Sequence, residues 1–380
     1  VWEGVRSEPA QVPDTPWAPV LKKAVAKDRE RRYNSAHTLT RALEDVTLRV
    51  EGAEDLHPYP GLASFTEEDA EYFFGREAEI EQMWRKLDGP PRMLALAGPS
   101  GAGKTSFLQA GLAPHGGPGW QCLICKPGNN PELALSRALG SHLSGDAGAV
   151  DLLLRFDDPD VAVEVVSHWR RRERHALLIV DQFEELFTLN PIEIQRRFAE
   201  LIHRLVLEAD AFVLLAMRDD FLFHCHQHDP LRPVLADLTM LGPPEGTSLR
   251  RALVQPATKC GYRFEDDALV DEMLGEVEGE RGALPLLAFA AARLWEKRDR
   301  DSGLLTRQAY HDIGGVGGAL ARHAEATIDR IGTERIAVVR ELFRNLVTAE
   351  GTRAVREWDE LLSVFDSESR TLSSRAKRPR

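Results

Sequence analysis

Gly98, four residues, then Gly103, Lys104 and Thr105 give the spacing G-x-x-x-x-G-K-[ST], a pattern that grips phosphate. Glycines let the backbone curl until successive N–H groups point inward at phosphate oxygens. The helix that follows adds its positive N-terminal end. The residues that would line the phosphates are Gly98, Ser100, Gly101, Ala102, Gly103, Lys104, Thr105 and Ser106. Lys104 can reach the β- and γ-phosphates, and the Thr105 hydroxyl can hold Mg²⁺. Asp181 closes the apolar run 176–180, where a carboxylate lies beside the phosphates and, with Thr105, can hold the ion. Gln182 comes next and cannot act as a base at neutral pH. Glu184 or Glu185 could polarise an attacking water, with Glu184 favoured; alternatively both cap the coming helix, and turnover is slow. Arg218 ends the apolar run 212–217, where it can touch the γ-phosphate and tell a triphosphate from a diphosphate.

These side chains need strands to place them. The apolar runs 93–97, 121–125, 176–180 and 212–217 read as buried parallel strands. Helical spacing over 133–143, 150–156, 161–169 and 191–207 supplies the covering layers. The expectation is an α/β fold, a parallel sheet flanked by helices, occupying 66–245. From Gly246 the pattern is helical, over 248–254, 266–275, 284–295, 309–327, 335–347 and 358–365. The glycine set Gly314, Gly315, Gly317 and Gly318 lacks a Lys and a preceding strand, so it is not read as a second phosphate loop.

With 380 residues the chain can build two or three cores. A net charge of −12 argues against a bulk nucleic-acid binder. The basic cluster from Arg170 to Arg174 reads as a solvated helix end. Four cysteines are too few and scattered for a disulfide framework, and Cys122 with Cys125 lacks a second ligand pair for zinc. His224, His226 and His228 alternate without a clear further ligand and read as structural or exposed. No signal peptide or membrane-length apolar run is visible, so the expectation is a cytoplasmic protein without membrane contact. The chain opens on Val1, as a piece of a longer product would.

Residues 1–50 carry helical spacing around Lys27-Asp28-Arg29-Glu30-Arg31-Arg32-Tyr33. This resembles the last two helices of a bacterial serine/threonine protein kinase, which implies Arg32 buried against an acidic partner and an upstream kinase domain. The chain itself holds neither an H-R-D loop nor D-F-G, so no kinase activity is expected of it. A linker, 51–65, follows, broken by Pro58, Pro60 and Gly61.

Phe73, Phe74, Gly75, Arg76, Glu77, Ala78 and Glu79 match the hydrophobic-hydrophobic-Gly-Arg-Glu-x-Glu string of STAND-class signal-transduction ATPases. The phosphate loop, Val180-Asp181-Gln182-Phe183-Glu184-Glu185, Arg218 and a Gly-x-x-Pro at Gly282–Pro285 follow in that family's order. The set resembles the "novel STAND" group of bacteria, often fused to kinases or repeat domains. The resemblance implies ATP/ADP and Mg²⁺ as ligands, Phe74, Gly75 and Arg76 on the adenine side, and Pro285 closing over the base. It implies a helical lid at 246–303, a winged-helix-like unit at 304–365 and self-association in the ATP state, while the Ser- and Arg-rich composition of 366–380 reads as a disordered tail. The usual Gly-x-Pro is stretched here by one residue, which leaves open which backbone atoms meet adenine. A winged-helix regulator of DNA is the competing reading, although acids interrupt its basic face.

Overall fold

The computed structural model describes residues 12, 15–51, 56–143, 151–172, 174–278, 282–347 and 361. Five parallel strands, β1 (Met93–Gly98), β2 (Trp120–Cys125), β3 (His175–Val180), β4 (Phe212–Arg218) and β5 (Leu238–Met240), form a sheet in the order β2-β3-β4-β1-β5. The order has a consequence for chemistry. It inserts β4 between the phosphate-loop strand β1 and the acid-bearing strand β3, and pairs Arg218 with Gly98 at the carboxyl edge. In an open parallel sheet, ligands bind outside that edge where the chain reverses its direction of crossing.

Both faces of the sheet are covered, which is why its strands read as continuous apolar runs. Side chains nonetheless alternate between two cores. Ala176, Leu178 and Val180 of β3 pack with Trp169, Phe183 and Phe198 on one face. Leu177 and Ile179 pack with Met83, Leu87, Phe107 and Leu108 on the other. In chain order the helices are α1 (Ala18–Ala24), α2 (Ala36–Glu51), α3 (Glu77–Leu87), α4 (Lys104–Ser106), α5 (Pro131–His142), α6 (Pro159–Arg171), α7 (Glu185–Leu189), α8 (Ile192–Leu207) and α9 (Leu222–Gln227). After α4 the helix continues over Phe107–Leu112 with the wider π spacing. Asn130 and Asp158 cap α5 and α6 through their side chains, each followed by Pro at the first helical position.

Beyond the sheet lie α10 (Gly246–Lys259), α11 (Asp267–Gly275), α12 (Ala283–Glu296) and α13 (Arg307–Ile313). The helical reading of this region overlooks a ladder, β6 (Arg263–Phe264) on β7 (Leu304–Leu305), too short to show a period of two. It also overlooks the three-residue edge strand β5 and the short α9. The single helix expected over 309–327 divides at Gly314, whose φ of +94° is open to glycine alone at little cost. Its parts are α13 and α14 (Gly315–Ile331), and α15 (Ile336–Asn345) follows.

Residues Val1–Gly317 form one compact unit and Gly318–Arg380 a second. The helix expected over 358–365 and the tail 366–380 lie outside the described residues, apart from Leu361. Near the N-terminus, Val20 of α1 packs with Ala42 and Val46 of α2. Arg32 differs from the kinase-like expectation: it is exposed, and its Nε donates to the Ala26 carbonyl at 2.6 Å rather than meeting a carboxylate. No described helix is long and apolar enough to cross a membrane.

Leu178 is 1% exposed in the middle of β3, whereas Leu154 is 81% exposed. Leu178→Ala should lower the unfolding free energy by about 2–5 kcal/mol, and Leu154→Ala by under about 0.5 kcal/mol. Denaturant titration of both variants measures the difference.

Candidate functional site

The phosphate loop needs backbone that only glycine supplies easily. Gly101 and Gly103 sit at φ of +80° and +84°. Gly98 is packed against the Leu241 backbone so closely that a Cβ has no room. Arg76, 7% exposed, holds the loop from behind. Its Nη2 donates to the Ala102 carbonyl at 3.1 Å and the Gly242 carbonyl at 2.6 Å, and its Nη1 to Glu79 at 2.8 Å. The Lys104 ammonium donates to the Gly98 and Pro99 carbonyls at 2.7 and 3.0 Å. Burial lowers its pKa, while Glu184, Asp181 and Asp219 pull the other way.

Across from the loop, the Thr105 hydroxyl donates to Asp181 Oδ2 at 2.9 Å, and the Gln182 N–H donates to Oδ1 at 2.9 Å. Asp181 is 1% exposed, and burial raises its pKa against the opposing pull of Thr105, Lys126, the Gln182 amide and Lys104. Gln182 itself lies at φ +52°, a left-handed turn uncommon outside glycine. Successive residues of a helical turn project in different directions, and the two glutamates meet different partners. Glu185 Oε2 accepts from the Gly128 N–H at 3.2 Å, and Oε1 accepts from the Gln182 amide at 2.9 Å, in the amide orientation its partners dictate. Glu184 instead accepts from the Arg218 N–H at 3.3 Å, and burial raises its pKa. Arg218 pairs with Asp220 at 2.6 Å and lies over the Phe221 ring.

A cavity of about 320 Å³ joins these groups. Ser100–Ser106, Asp181, Gln182, Glu184 and Arg218 line one end. Phe73, Phe74, Ala252, Leu284 and Pro285 line another part, with residues 61–65 of the linker. Phe74, Arg76 and Pro285 therefore reach the cavity, although Arg76 spends its guanidinium on the loop. Gly75 does not reach it: the residue lies against the Ser248 backbone at the start of α10, with no room for a side chain. Glu185 is likewise absent from the lining. Pro285 sits on the loop itself, where a Cβ added to Gly101 would stand 3.3 Å from its ring; one added to Gly103 would stand 3.6 Å from Leu284.

Three contributors escaped the sequence reading. Lys126 faces both Asp181 and Gln182, its one sequence signal being a cation directly after an apolar strand. Asp219 and Asp220 face Lys104 and Arg218, and the linker residues form a wall. His224 and His228 stack on Phe187, at 5.2 and 5.8 Å between centroids. No group of three metal-capable side chains occurs among the described residues. Thr105 and Asp181 offer one hydroxyl and one carboxylate, a hard-oxygen pair that suits Mg²⁺ completed by phosphate and water.

The family model Novel STAND NTPase 1 matches residues 58–377. The chain belongs to the novel STAND NTPase family. The fold of this STAND NTPase is similar to the Walker-type ATPase paby2304 of Pyrococcus abyssi, at 14% identity and TM-score 0.48, covering 79% of this chain and 89% of that one. It is similar also to the ORC2 protein of Aeropyrum pernix in its ADP form, at 14% identity and TM-score 0.41, covering 68% and 70%. Cdc6p of Pyrobaculum aerophilum matches at 15% identity and TM-score 0.38, covering 63% of each chain. No curated protein matches the STAND NTPase.

The raised pKa of Asp181 carries a sign. A carboxyl whose folded pKa lies above its unfolded value favours the fold while protonated and loses that contribution as pH rises through the folded pKa. At neutral pH, without nucleotide or Mg²⁺, Asp181→Asn should therefore melt at or above the wild-type temperature, as thermal denaturation would reveal. A lower melting temperature would mean that the buried charge supports the fold.

Proposed function

We propose that this STAND NTPase is a switch operated by adenine nucleotide, closed with ADP and open with ATP, in which the open form associates with itself. The observation that carries the reading is the seat of the α12 N-terminus on the glycines of the phosphate loop. A nucleotide in that cavity touches core and lid together, so the two can separate only if the ligand favours separation. Arg218 and Pro285 approach the same cavity from the two parts. ATP differs from ADP by a γ-phosphate, which Arg218, on the cavity wall with Lys104, would meet.

The loop N–H groups and Lys104 bind and orient the phosphates. Lys104 must leave the Gly98 and Pro99 carbonyls to do so, and Arg218 must leave Asp220. Mg²⁺, held by Thr105 and Asp181, would supply charge neutralisation at the β- and γ-oxygens. Glu184 orients a water for in-line attack on the γ-phosphorus, taking its proton while the bond to the β-phosphate oxygen breaks. Gln182, the residue after Asp181, carries no base, which favours slow hydrolysis and a long-lived ATP state. The placement within signalling, a cytoplasmic setting and an upstream kinase domain belong to this proposal and rest on the family and on the residues before 50.

Lys104→Ala should abolish nucleotide binding in calorimetry. Arg218→Ala should weaken ATP by about 10-fold or more and ADP far less, the scale of a charged hydrogen bond; equal losses would remove Arg218 from the sensing role. Glu184→Gln should lower kcat by about 10²-fold with binding retained, and Glu185→Gln only a few-fold. The reverse order in a phosphate-release assay would move the base to Glu185.

A further inference from the structure

Pro256 stands inside α10 and has no N–H to give its helix. One residue on, the Tyr59 hydroxyl donates to the Leu253 carbonyl at 2.5 Å and accepts from the Ala257 N–H at 3.2 Å. Those two backbone groups are each other's partners in a regular α-helix, so a side chain from the linker bridges a rung of the helix beside its proline. Tyr59 is 7% exposed, and burial holds its phenol far above the usual range, so the hydroxyl keeps the proton it donates.

Both segments that this hydroxyl joins are walls of the cavity. Ala252, one residue before Leu253, lines it from α10, and Gly61, two residues after Tyr59, begins the linker wall. The wall ends on the phosphate loop, where the Phe65 N–H donates to Ser106 Oγ at 3.1 Å. At its other end, Trp295 Nε1 of α12 donates to the Leu56 carbonyl at 2.8 Å. From there a chain of rings leads to the N-terminal helices. Tyr59 meets Trp295 edge-on at 6.1 Å, Trp295 meets Tyr262 at 4.8 Å, and Arg49 of α2 lies over Tyr262 at 5.7 Å. Arg49 also donates to the Gly261 carbonyl at 2.6 Å. Gly261 and Gly303, both at positive φ, leave α2 a notch: a Cβ on either would collide with Asp45 or Arg49.

We infer that Tyr59 is a positioning residue for the nucleotide cavity, and that the seating of α2 on the lid acts on nucleotide affinity through it. The inference rests on the proposed adenine-nucleotide site. Linkage then runs both ways: whatever shifts α2 alters the grip on nucleotide, and nucleotide exchange alters the seat of α2.

The test uses the full chain, with dissociation of fluorescently labelled ADP followed by stopped flow and backbone hydrogen exchange read in parallel. Tyr59→Phe keeps the ring and removes the hydroxyl. It should speed ADP release about five- to ten-fold, the scale of one hydrogen bond, and hasten exchange at Ala257. Arg49→Ala should speed release several-fold in the wild-type background and add little in the Tyr59→Phe background. Trp295→Phe, which frees the linker at Leu56, carries the same expectation as Tyr59→Phe and keeps the test decisive if that variant does not fold. An unchanged release rate in folded Tyr59→Phe and Trp295→Phe would overturn the positioning role. Additive effects of Arg49→Ala and Tyr59→Phe would overturn the path through Tyr59. A wild-type chain that binds no adenine nucleotide would overturn the site and this inference with it; faster Ala257 exchange in Tyr59→Phe would then place the fault in the site rather than in the helix contact.

Discussion

The first turn of α12 rests on the phosphate loop, and most of the site is arranged around that contact. Gly101 and Gly103 serve two purposes in it. Their positive φ curls the backbone N–H groups toward a phosphate, and their missing side chains let Pro285 and Leu284 come within van der Waals range. An alanine at either place would strain the loop through its positive φ, and at Gly101 it would also crowd the Pro285 ring. The loop therefore meets the first turn of α12 through the same residues that fit it for phosphate, which on the proposed reading couples ligand binding to that helix.

The rest of the fold holds this contact in register. Strand order sets β4 between the loop and the acid, which brings Arg218 into the cavity from an element common to both. Arg76 fastens the loop to the segment at Gly242, just ahead of α10, and Gly75 lets α10 begin against the core. The polar groups of the site have partners within the chain: Lys104 on loop carbonyls, Arg218 on Asp220, Thr105 on Asp181. Each of these is a weak internal substitute for a stronger contact with phosphate or metal.

The phosphate loop and its strand were legible because the motif is contiguous and its physics local. The apolar run of β3 and the strong periodicity of α8 were legible for the same reason. The separate settings of Glu184, at the cavity, and Glu185, on the Gly128 N–H, were not, since they depend on which distant elements the fold brings beside each side chain. Lys126, Asp219 and the linker wall come from distant parts of the chain and meet only once the sheet has formed. Tyr59 is the sharpest case: in sequence it is an aromatic between two prolines in a linker, and only the fold shows it bridging a rung of α10. The N-terminal helices read as the end of a separate domain, yet α2 is seated against Gly261 and Gly303 through Asp45 and Arg49, a contact that no local pattern announces.

On the proposed reading, the bound nucleotide decides whether the core and the helices that share its cavity stay together. Identifying the nucleotide that co-purifies with the chain, then measuring molar mass by light scattering before and after exchange for a non-hydrolysable ATP analogue, tests it directly. The expected result is bound ADP in a monomer whose mass rises on exchange. A chain that carries no nucleotide and binds none, or one whose mass is the same with either, would contradict it.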